Sequence, residues 1–197
     1  MEKRISEIKR KTKETDIYVK IDLDGRGVCS IDTGIPFMDH MLNILALHGF
    51  LDIELKAKGD IEVDYHHTVE DLGICIGLCI NDALLDRAGI KRYGEATIPM
   101  DETLARTVID ISGRPFFSYN VPVKRTITGK FDIGLIKEFF YALAVNAKIT
   151  LHIDLLSGEE PHHVSEAIFK SFARAFDKAK QKEKRLSSQV PSTKGLL

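Results

Sequence analysis

The chain has 197 residues, 44% of them hydrophobic and 29% charged, and 28 Lys and Arg residues against 29 Asp and Glu residues give a net charge of −1. This composition indicates a globular protein with a substantial core, and the charge balance argues against a dedicated nucleic-acid binder or a basic membrane-binding surface. No apolar run approaches the ~20 residues of a membrane span, and the charged N-terminus does not resemble a signal peptide. The three cysteines do not make a disulfide framework. We therefore expect a cytoplasmic protein.

The first part of the chain predicts two strands, a helix, a strand and a second helix. Apolar and polar residues alternate over 17–23, and after an Asp-Gly-Arg-Gly turn a second strand is predicted over 28–31. Helices are predicted over 38–50 and over about 66–85, with an alternating strand at 53–57 between them.

The second part predicts the same order of elements. Strands are expected at 107–111 and 116–123, and a helix follows over about 133–146. An alternating strand at 149–155 then leads to a final helix over 164–182, where apolar residues recur at helical spacing.

Short motifs also relate the two parts. The motif HHxxE begins at His66 and recurs at His162, 96 residues later. Two further pairs of segments, each 98 residues apart, are 39–42 with 137–140 and 53–56 with 151–154. We infer an α+β fold in which a β-β-α-β-α-type half-domain is duplicated and the sheets are backed by helices. The half-repeats are expected at 1–90 and 91–197, together forming one compact domain.

The duplicated motif has the spacing of a metal site. Residues i and i+4 share one face of a helix, whereas residue i+1 points about 100° away. His66 and Glu70 can therefore hold one cation together, as can His162 and Glu166, while the second histidine of each motif is directed elsewhere. Imidazole and carboxylate suit a first-row divalent metal. A polar helix start explains one such motif equally well, but two at matching positions favour a metal.

The duplication suggests how ligands are shared between two ions. An ion held by His162 and Glu166 can also take the oppositely directed histidine of the other motif and His40 from the first helix. The resulting sets are His40, His67, His162 and Glu166 for one ion and their counterparts His66, Glu70, Glu138 and His163 for the other. Four ligands leave an octahedral ion about two open positions, which suits Mn²⁺ better than a structural zinc. For Glu138, beside Lys137, a solvated carboxylate is the alternative.

Longer segments carry a family resemblance. The segments IPFMDHML, DYHHTVEDLGICIG, EEPHHVSEAIFKSFARA, KETDIYVKIDLDG, MDETLARTVIDISGRP and PSTKG strongly resemble the imidazoleglycerol-phosphate dehydratase family. The resemblance runs from about Arg10 to Gly195. It implies two repeats of a unit like the second domain of ribosomal protein S5. It also implies a manganese-dependent lyase of histidine biosynthesis, assembled as a homo-oligomeric 24-mer whose metal sites are completed between subunits.

The implied chemistry removes water from imidazole glycerol phosphate to give imidazole acetol phosphate. The resemblance implies the two ligand sets given above and two Mn²⁺ per active site, although many members have His where this chain has Glu138. Two cations at the ring nitrogens favour the imidazolate, which can expel the hydroxyl through a diazafulvene-like intermediate. A base then takes a proton from the neighbouring carbon, and the resemblance assigns that role to Glu14.

Other residues are expected to act on the substrate. His48 lies eight residues after His40 on nearly the same helix face, where it could be a proton shuttle, a phosphate contact or a polar residue at a helix end. The resemblance matches Arg92 and Arg114 to phosphate contacts, and guanidinium groups bind phosphate oxygens with two prongs. It assigns the same phosphate to a C-terminal substrate-binding tail, namely Ser192, Thr193 and Lys194.

Two other functions remain open from the residues. The same ligands could serve a dinuclear metal-dependent phosphoester hydrolase, or the chain could be an S5-like RNA-binding or metal-stabilised structural protein. The absence of a basic stripe disfavours the RNA-binding protein. The expected partners are a small phosphorylated imidazole substrate and other copies of the chain, with no nucleic acid and no membrane. Cys29, Cys75 and Cys79 are expected to be core residues rather than metal ligands.

Overall fold

Two four-stranded sheets enclose four helices in the computed structural model, which describes residues 3–186 and 189–195. The elements of the first sheet and its helices are β1 Ile5–Lys11, β2 Thr15–Asp22, β3 Cys29–Asp32, α1 Pro36–Gly49, β4 Asp52–Gly59 and α2 His66–Ala83. The strands lie in the order β1-β2-β4-β3. β3 runs parallel to β4, and the other neighbours are antiparallel.

The second sheet repeats this topology. Its elements are β5 Tyr93–Met100, β6 Thr103–Asp110, β7 Phe116–Asn120, the hairpin β8 Ile127–Thr128 and β9 Phe131–Asp132, α3 Leu135–Ala147, β10 Thr150–Ser157 and α4 Pro161–Lys180. The strand order β5-β6-β10-β7 matches β1-β2-β4-β3, and the one parallel pair is again at the same edge. The duplicated α+β fold predicted from the sequence is therefore confirmed.

Each half begins with one strand more than the sequence predicted. β1 has the sequence ISEIKRK, in which charged residues interrupt the apolar alternation, because an edge strand buries its inner face only in part. β5 begins at Tyr93, just after the boundary expected between residues 90 and 91. The predicted strand over 116–123 ends at Asn120, two residues before Pro122, whose ring cannot donate to a ladder.

The helices are paired across the two halves. α2 lies on the first sheet and packs against α3, while α4 lies on the second sheet and packs against α1. The α2–α3 contact is so close that a Cβ on Gly73 would lie 2.4 Å from the carbonyl oxygen of Phe139 and one on Gly77 would lie 2.7 Å from that of Leu143. Only glycine permits this approach. Because both contacts advance in the same direction along the two helices, α2 and α3 run parallel and their N-termini are adjacent.

The interface between the helices is rich in fully buried aromatic side chains. The largest of them are Phe131, Phe139, Phe140, Phe169, Phe172 and Phe176. Burial of one such side chain stabilises the folded state by roughly 1.5–3 kcal/mol. This continuous core includes residues of both halves, so it fixes the helix N-termini that carry the HHxxE motifs.

Two of the three cysteines lie in the core, as the sequence predicted. Cys75 and Cys79 are buried in α2, and burial raises their thiol pKa values to about 11 and about 12. Cys29 is half-buried, and its Sγ donates to Oδ1 of Asn43. Among the described residues, no helix is both long and apolar enough to cross a membrane.

Candidate metal and substrate site

The N-terminal halves of α1 and α4 bring two histidines and one glutamate together. Nε2 of His40 lies 3.0 Å from Oε1 of Glu166, and Nε2 of His162 lies 3.1 Å from the same oxygen. His162 reaches that oxygen because it lies four residues before Glu166 on α4. His40 reaches it because α1 and α4 pack side by side in parallel. Towards the C-terminal end of α1, a Cβ on Gly49 would lie 3.7 Å from the Cβ of Ala173, seven residues after Glu166 on α4.

The start of each helix is set by local sequence. Proline stands at the first positions of both α1 and α4, where its missing N–H costs no hydrogen bond. The side chain of Glu160 accepts a hydrogen bond from the backbone N–H of His163 and caps α4. The carboxylate of Asp39 in turn accepts from the backbone and hydroxyl of Thr33, which fixes the entry into α1.

Glu166 is the electrostatic centre of this cluster. Its other oxygen, Oε2, accepts a hydrogen bond from Nζ of Lys170 at 2.6 Å. Burial by itself would raise the pKa of Glu166, but hydrogen bonds from Lys170, His40 and His162 outweigh it and lower the pKa to about 2. Glu166 is therefore a carboxylate at neutral pH, with one oxygen directed at two imidazoles.

The corresponding cluster on α2 and α3 is looser. Nε2 of His66 lies 3.8 Å from Oε2 of Glu70, and both side chains are close to half exposed. Glu138 lies in the first turn of α3, which packs against α2 in parallel. Among the described residues, however, only His40, His162 and Glu166 bring three candidate ligand atoms within 4.8 Å of one another. The second set is assembled only in part.

The second histidine of each motif is hydrogen-bonded to a carboxylate that belongs to neither cluster. Nδ1 of His67 lies 3.0 Å from Oδ2 of Asp60, and Nδ1 of His163 lies 2.9 Å from Oε2 of Glu102. These hydrogen bonds raise the pKa of both histidines. Among the described residues of one chain, neither histidine joins a group of three candidate ligand atoms within 4.8 Å, although the sequence grouped His67 with His40 and His163 with His66.

The two residues expected to move protons lie at different places. Oε1 of Glu14, in the β1–β2 turn, is 4.0 Å from Nε2 of His67, and the carboxylate is half-exposed. His48 lies two turns beyond His40 at the end of α1. Burial lowers the pKa of His48, and the positive charges of Lys170 and Arg174 lower it further. Glu14 is thus next to one candidate ligand, while His48 faces the cationic side of the other cluster.

The residues expected to bind phosphate meet in one cleft of about 600 Å³. It is lined by Arg92, Tyr93, Arg114, Leu186 and the tail residues Val190, Pro191, Ser192, Thr193 and Lys194. Arg92 binds both carboxylate oxygens of Asp110, at 2.6 and 3.1 Å, and its Nη1 donates to the carbonyl oxygen of Pro191 at 2.8 Å. Arg92 therefore connects the sheet to the tail while keeping further N–H donors for an anion.

A second cavity, of about 500 Å³, opens beside the first cluster. His40 and His162 form part of its wall, and the aromatic rings of Phe37, Tyr65 and Phe131 form much of the rest. Phe131 comes from the β8–β9 hairpin and contacts the rings of Phe37 and Tyr65. The cavity offers an apolar enclosure next to two imidazoles.

Sequence reasoning missed the polar partners of the predicted residues. Lys170 had a usable signal, because it lies four residues after Glu166 on the same helix face. Asp60 and Glu102 had none, since they contact their histidines across 7 and 61 positions and belong to neither motif. Asp110 is also remote in sequence from Arg92 and becomes its partner only through the pairing of β5 with β6.

The fold and these clusters define a duplicated α+β protein with nitrogen and oxygen ligands for a divalent cation and a separate cationic cleft. Comparison with known proteins agrees. The family model for imidazoleglycerol-phosphate dehydratase matches residues 33–176. The imidazoleglycerol-phosphate dehydratase of Prochlorococcus marinus strain NATL1A is 52% identical over all of this chain and 98% of its own, and that of Nitrobacter hamburgensis is 54% identical over 98% of each.

Solved structures give the same result. The Staphylococcus aureus imidazoleglycerol-phosphate dehydratase superimposes with a TM-score of 0.83 at 41% identity, covering 91% of this chain and 99% of its own. The Pyrococcus furiosus enzyme, solved in complex with (S)-C348, has a TM-score of 0.84 at 36% identity, covering 96% of this chain and 100% of its own. The chain belongs to the imidazoleglycerol-phosphate dehydratase family, and it is a hydro-lyase.

Proposed function

We propose that the protein dehydrates imidazole glycerol phosphate to imidazole acetol phosphate, a cytoplasmic step of histidine biosynthesis, with two Mn²⁺ ions per active site. The observation that carries the proposal is the group of His40, His162 and Glu166, whose ligand atoms lie within 4.8 Å of one another. The cavity at His40 and His162 and the cationic cleft at Arg92 and Arg114 share no lining residue, which suits a substrate with an imidazole ring at one end and a phosphate at the other.

The residues present fit divalent manganese. Two imidazole nitrogens and one carboxylate oxygen form a mixed donor set, which leaves positions for further ligands. His66, Glu70 and Glu138 would hold the second ion, with a carboxylate in the place of the histidine found in many relatives. When bound, the two ions supply Lewis acidity that favours an ionised imidazole ring in the substrate.

The chain's own residues would orient the substrate and move its protons. Arg114, the remaining donors of Arg92 and the tail residues Ser192, Thr193 and Lys194 would hold the phosphate and so fix the carbon chain relative to the ring. Glu14 would take the proton from the carbon next to the one that loses its hydroxyl. His48, held neutral by its burial and its cationic neighbours, would accept or return protons.

We further propose that copies of the chain complete one another's sites. His67 and His163 lie apart from the clusters to which the ligand sets assign them, and the aromatic cavity beside His40 leaves room for a residue from a neighbour. In a homo-oligomer, a neighbouring copy could bring these histidines to the clusters and fill the cavity. The resemblance gives the size of this homo-oligomer as 24 subunits.

Synthetic imidazole glycerol phosphate tests the proposal directly. Metal-stripped protein should be inactive, and Mn²⁺ should restore formation of the ketone, measured by absorbance of the enolised product. Release of inorganic phosphate in place of the ketone would instead identify a phosphoester hydrolase.

Elemental analysis tests the metal content separately. Protein purified with manganese should contain about two ions per subunit. Glu70→Gln should lose metal first and activity as a consequence, because an amide oxygen is a weaker ligand than a carboxylate. About one ion per subunit in the unaltered protein, or coordination by the cysteines, would contradict two paired sites.

A further inference from the structure

Two histidines present the same arrangement at different places in the fold. The ring of His67 contacts Asp60 through Nδ1 at 3.0 Å, and the ring of His163 contacts Glu102 through Nδ1 at 2.9 Å. In both, Nε2 is the atom directed away from the bond, towards Glu14 at 4.0 Å for His67 and towards Asp101 at 3.8 Å for His163.

The partner of each ring decides which nitrogen carries the proton. An ionised carboxylate only accepts hydrogen bonds, so Nδ1 must be the donor. In the neutral imidazole, Nε2 then carries the free electron pair, which is the form that ligates a metal. The carboxylate therefore selects the tautomer and fixes the direction of the ring.

The Glu102 carboxylate is anchored by a second hydrogen bond, and Asp60 is anchored through its backbone and by burial of its side chain. Oε1 of Glu102 accepts a hydrogen bond from the hydroxyl of Thr103 at 3.1 Å, which leaves Oε2 for His163. The backbone N–H of Asp60 donates to the carbonyl oxygen of Glu14 at 3.1 Å, and the Asp60 side chain is largely buried. A ring held by an anchored partner loses little freedom when a metal binds.

The two partners are not equivalent in the duplicated fold. Glu102 lies in the β5–β6 turn, and its counterpart in the first half is Glu14, in the β1–β2 turn. Asp60 follows β4, and the matching position after β10 is Gly158. The histidine–carboxylate hydrogen bond is therefore not a copied feature. The first half makes it with Asp60 and the second half with Glu102, and these two residues are not counterparts. A feature built twice by different means points to a requirement of the site.

We propose that Asp60 and Glu102 are positioning residues that hold His67 and His163 with Nε2 outward, ready to ligate a divalent metal on another copy of the chain. This rests on the proposed function, in which these two histidines complete sites whose other ligands lie elsewhere. His40 and His162 orient each other through a shared glutamate, whereas a ligand offered to a neighbour has no such support on its own chain. A carboxylate hydrogen-bonded to Nδ1 of the histidine supplies this support.

The test is the manganese affinity of the full-length protein, measured by equilibrium dialysis with elemental analysis. Glu102→Asp keeps the charge but shortens the side chain so that it no longer reaches Nδ1, and we expect about 10- to 100-fold weaker binding at one site. Glu102→Gln loses the charge but keeps an acceptor oxygen, and it should bind close to the unaltered protein. At Asp60, the alanine variant should likewise bind manganese more weakly, and Asp60→Asn should bind it close to the unaltered protein.

Matched controls are the exposed carboxylates Glu62, two residues after Asp60, and Glu95, on the strand before Glu102. Their alanine variants should bind manganese as the unaltered protein does. Unchanged affinity in Glu102→Asp and Asp60→Ala would overturn the inference. A loss in Glu102→Gln with none in Glu102→Asp would also overturn it, since charge rather than ring direction would then be the cause. Failure of the unaltered protein to bind manganese would instead refute the proposed function.

Discussion

The two halves of the molecule have the same sheet topology but use their polar residues differently. Counterparts in the first two strands of each half are separated by 88 positions, as Ile5 and Tyr93 are at the start of β1 and β5. Arg4 and Arg92 are such a pair, and each accepts a backbone hydrogen bond through its carbonyl oxygen, from Leu23 and from Ile111 respectively. The shared backbone makes the side chains directly comparable.

The arginine pair shows one division of roles. Arg4 is buried, binds the carboxylate of Asp24 and donates to the carbonyl oxygen of Lys180, so it closes the end of α4. Arg92 binds Asp110 and faces the cleft with the tail. The first half thus uses its arginine to hold the fold, and the second half places the same residue at the proposed phosphate site.

The counterparts Glu14 and Glu102 divide their roles the other way, with the structural role in the second half. Glu102 in the second half is occupied by His163, whereas Glu14 in the first half stands 4.0 Å from His67, whose ring is held by Asp60 instead. Because Asp60 holds that ring, the Glu14 carboxylate is left for the role of base proposed above. In the proposed function, a site that needs one base and one phosphate pocket requires only one copy of each, and each half would supply one of them.

The largest effect should come from the glutamate pair. Glu14→Gln keeps the size and hydrogen bonding of the side chain but removes its basicity, and general-base catalysis contributes about 10²- to 10⁴-fold. We expect a folded, assembled protein with normal manganese content and substrate binding but turnover reduced by at least about 10²-fold.

Turnover, bound metal and substrate affinity measured together check this prediction. Glu102→Gln is the matched control, because it changes the counterpart residue in the same way and should retain far more turnover. Normal turnover in Glu14→Gln would move the role of base to His48. Loss of manganese from that variant would place Glu14 among the metal ligands.

The next effect concerns the second arginine pair, Arg26 and Arg114. Both follow a glycine in the turn after the second strand of their half, but only Arg114 lines the cleft. Arg114→Ala should weaken substrate capture by roughly 1.5–3 kcal/mol, which raises KM about 10- to 150-fold with metal content intact. Arg92→Ala and Lys194→Ala should act in the same direction.

Steady-state kinetics of Arg26→Ala provides the control for that series. Arg26 is exposed in the first half, so its removal should leave KM unchanged. An unaltered KM in Arg114→Ala, or an equal rise in both variants, would remove Arg114 from the phosphate site.

The smallest effect concerns stability. Asp24→Asn removes the ionic partner of Arg4, and we expect the free energy of unfolding in urea to fall by about 1 kcal/mol, since Asp24 is half-exposed and Arg4 keeps its bond to Lys180. The hydrogen bond from Arg4 lowers the pKa of Asp24 in the folded state. The pair therefore stabilises the protein above about pH 4, and this stabilisation is lost as the pH falls through the lowered pKa.

Urea titrations between pH 7 and pH 3 check this prediction. The variant should lose less stability than the unaltered protein over the acid part of that range. An identical acid profile in both proteins would show that the Arg4–Asp24 pair does not contribute.

The sequence predicted the duplicated fold because its strongest signals are local. Alternation over 17–23 and helical spacing in the last helix depend on neighbouring residues, and the repeated HHxxE motif marks matching helix starts. β1 and β5 escaped prediction because an edge strand has a weak pattern. The hairpin of β8 and β9 escaped because two-residue strands carry no periodicity.

The candidate site was predictable to a smaller extent. The spacing of His162 and Glu166 fixed their shared face, and the duplication suggested His40 as a third member of the group. The partners that fix direction and charge, such as Asp60 for His67, come from loops that the fold brings close. No local pattern encodes such contacts.

The pairing of helices across the halves also constrains the history of the chain. α1 packs on α4 and α2 on α3, so part of the apolar surface of every helix is covered by a helix from the other half. A protein made of one half alone would present these faces to water unless a second copy covered them. The ancestor of such a gene would therefore have been a half-length chain that folded as a twofold dimer. Fusion of its two copies into one reading frame would have removed the concentration dependence of folding and freed each copy to acquire its own mutations.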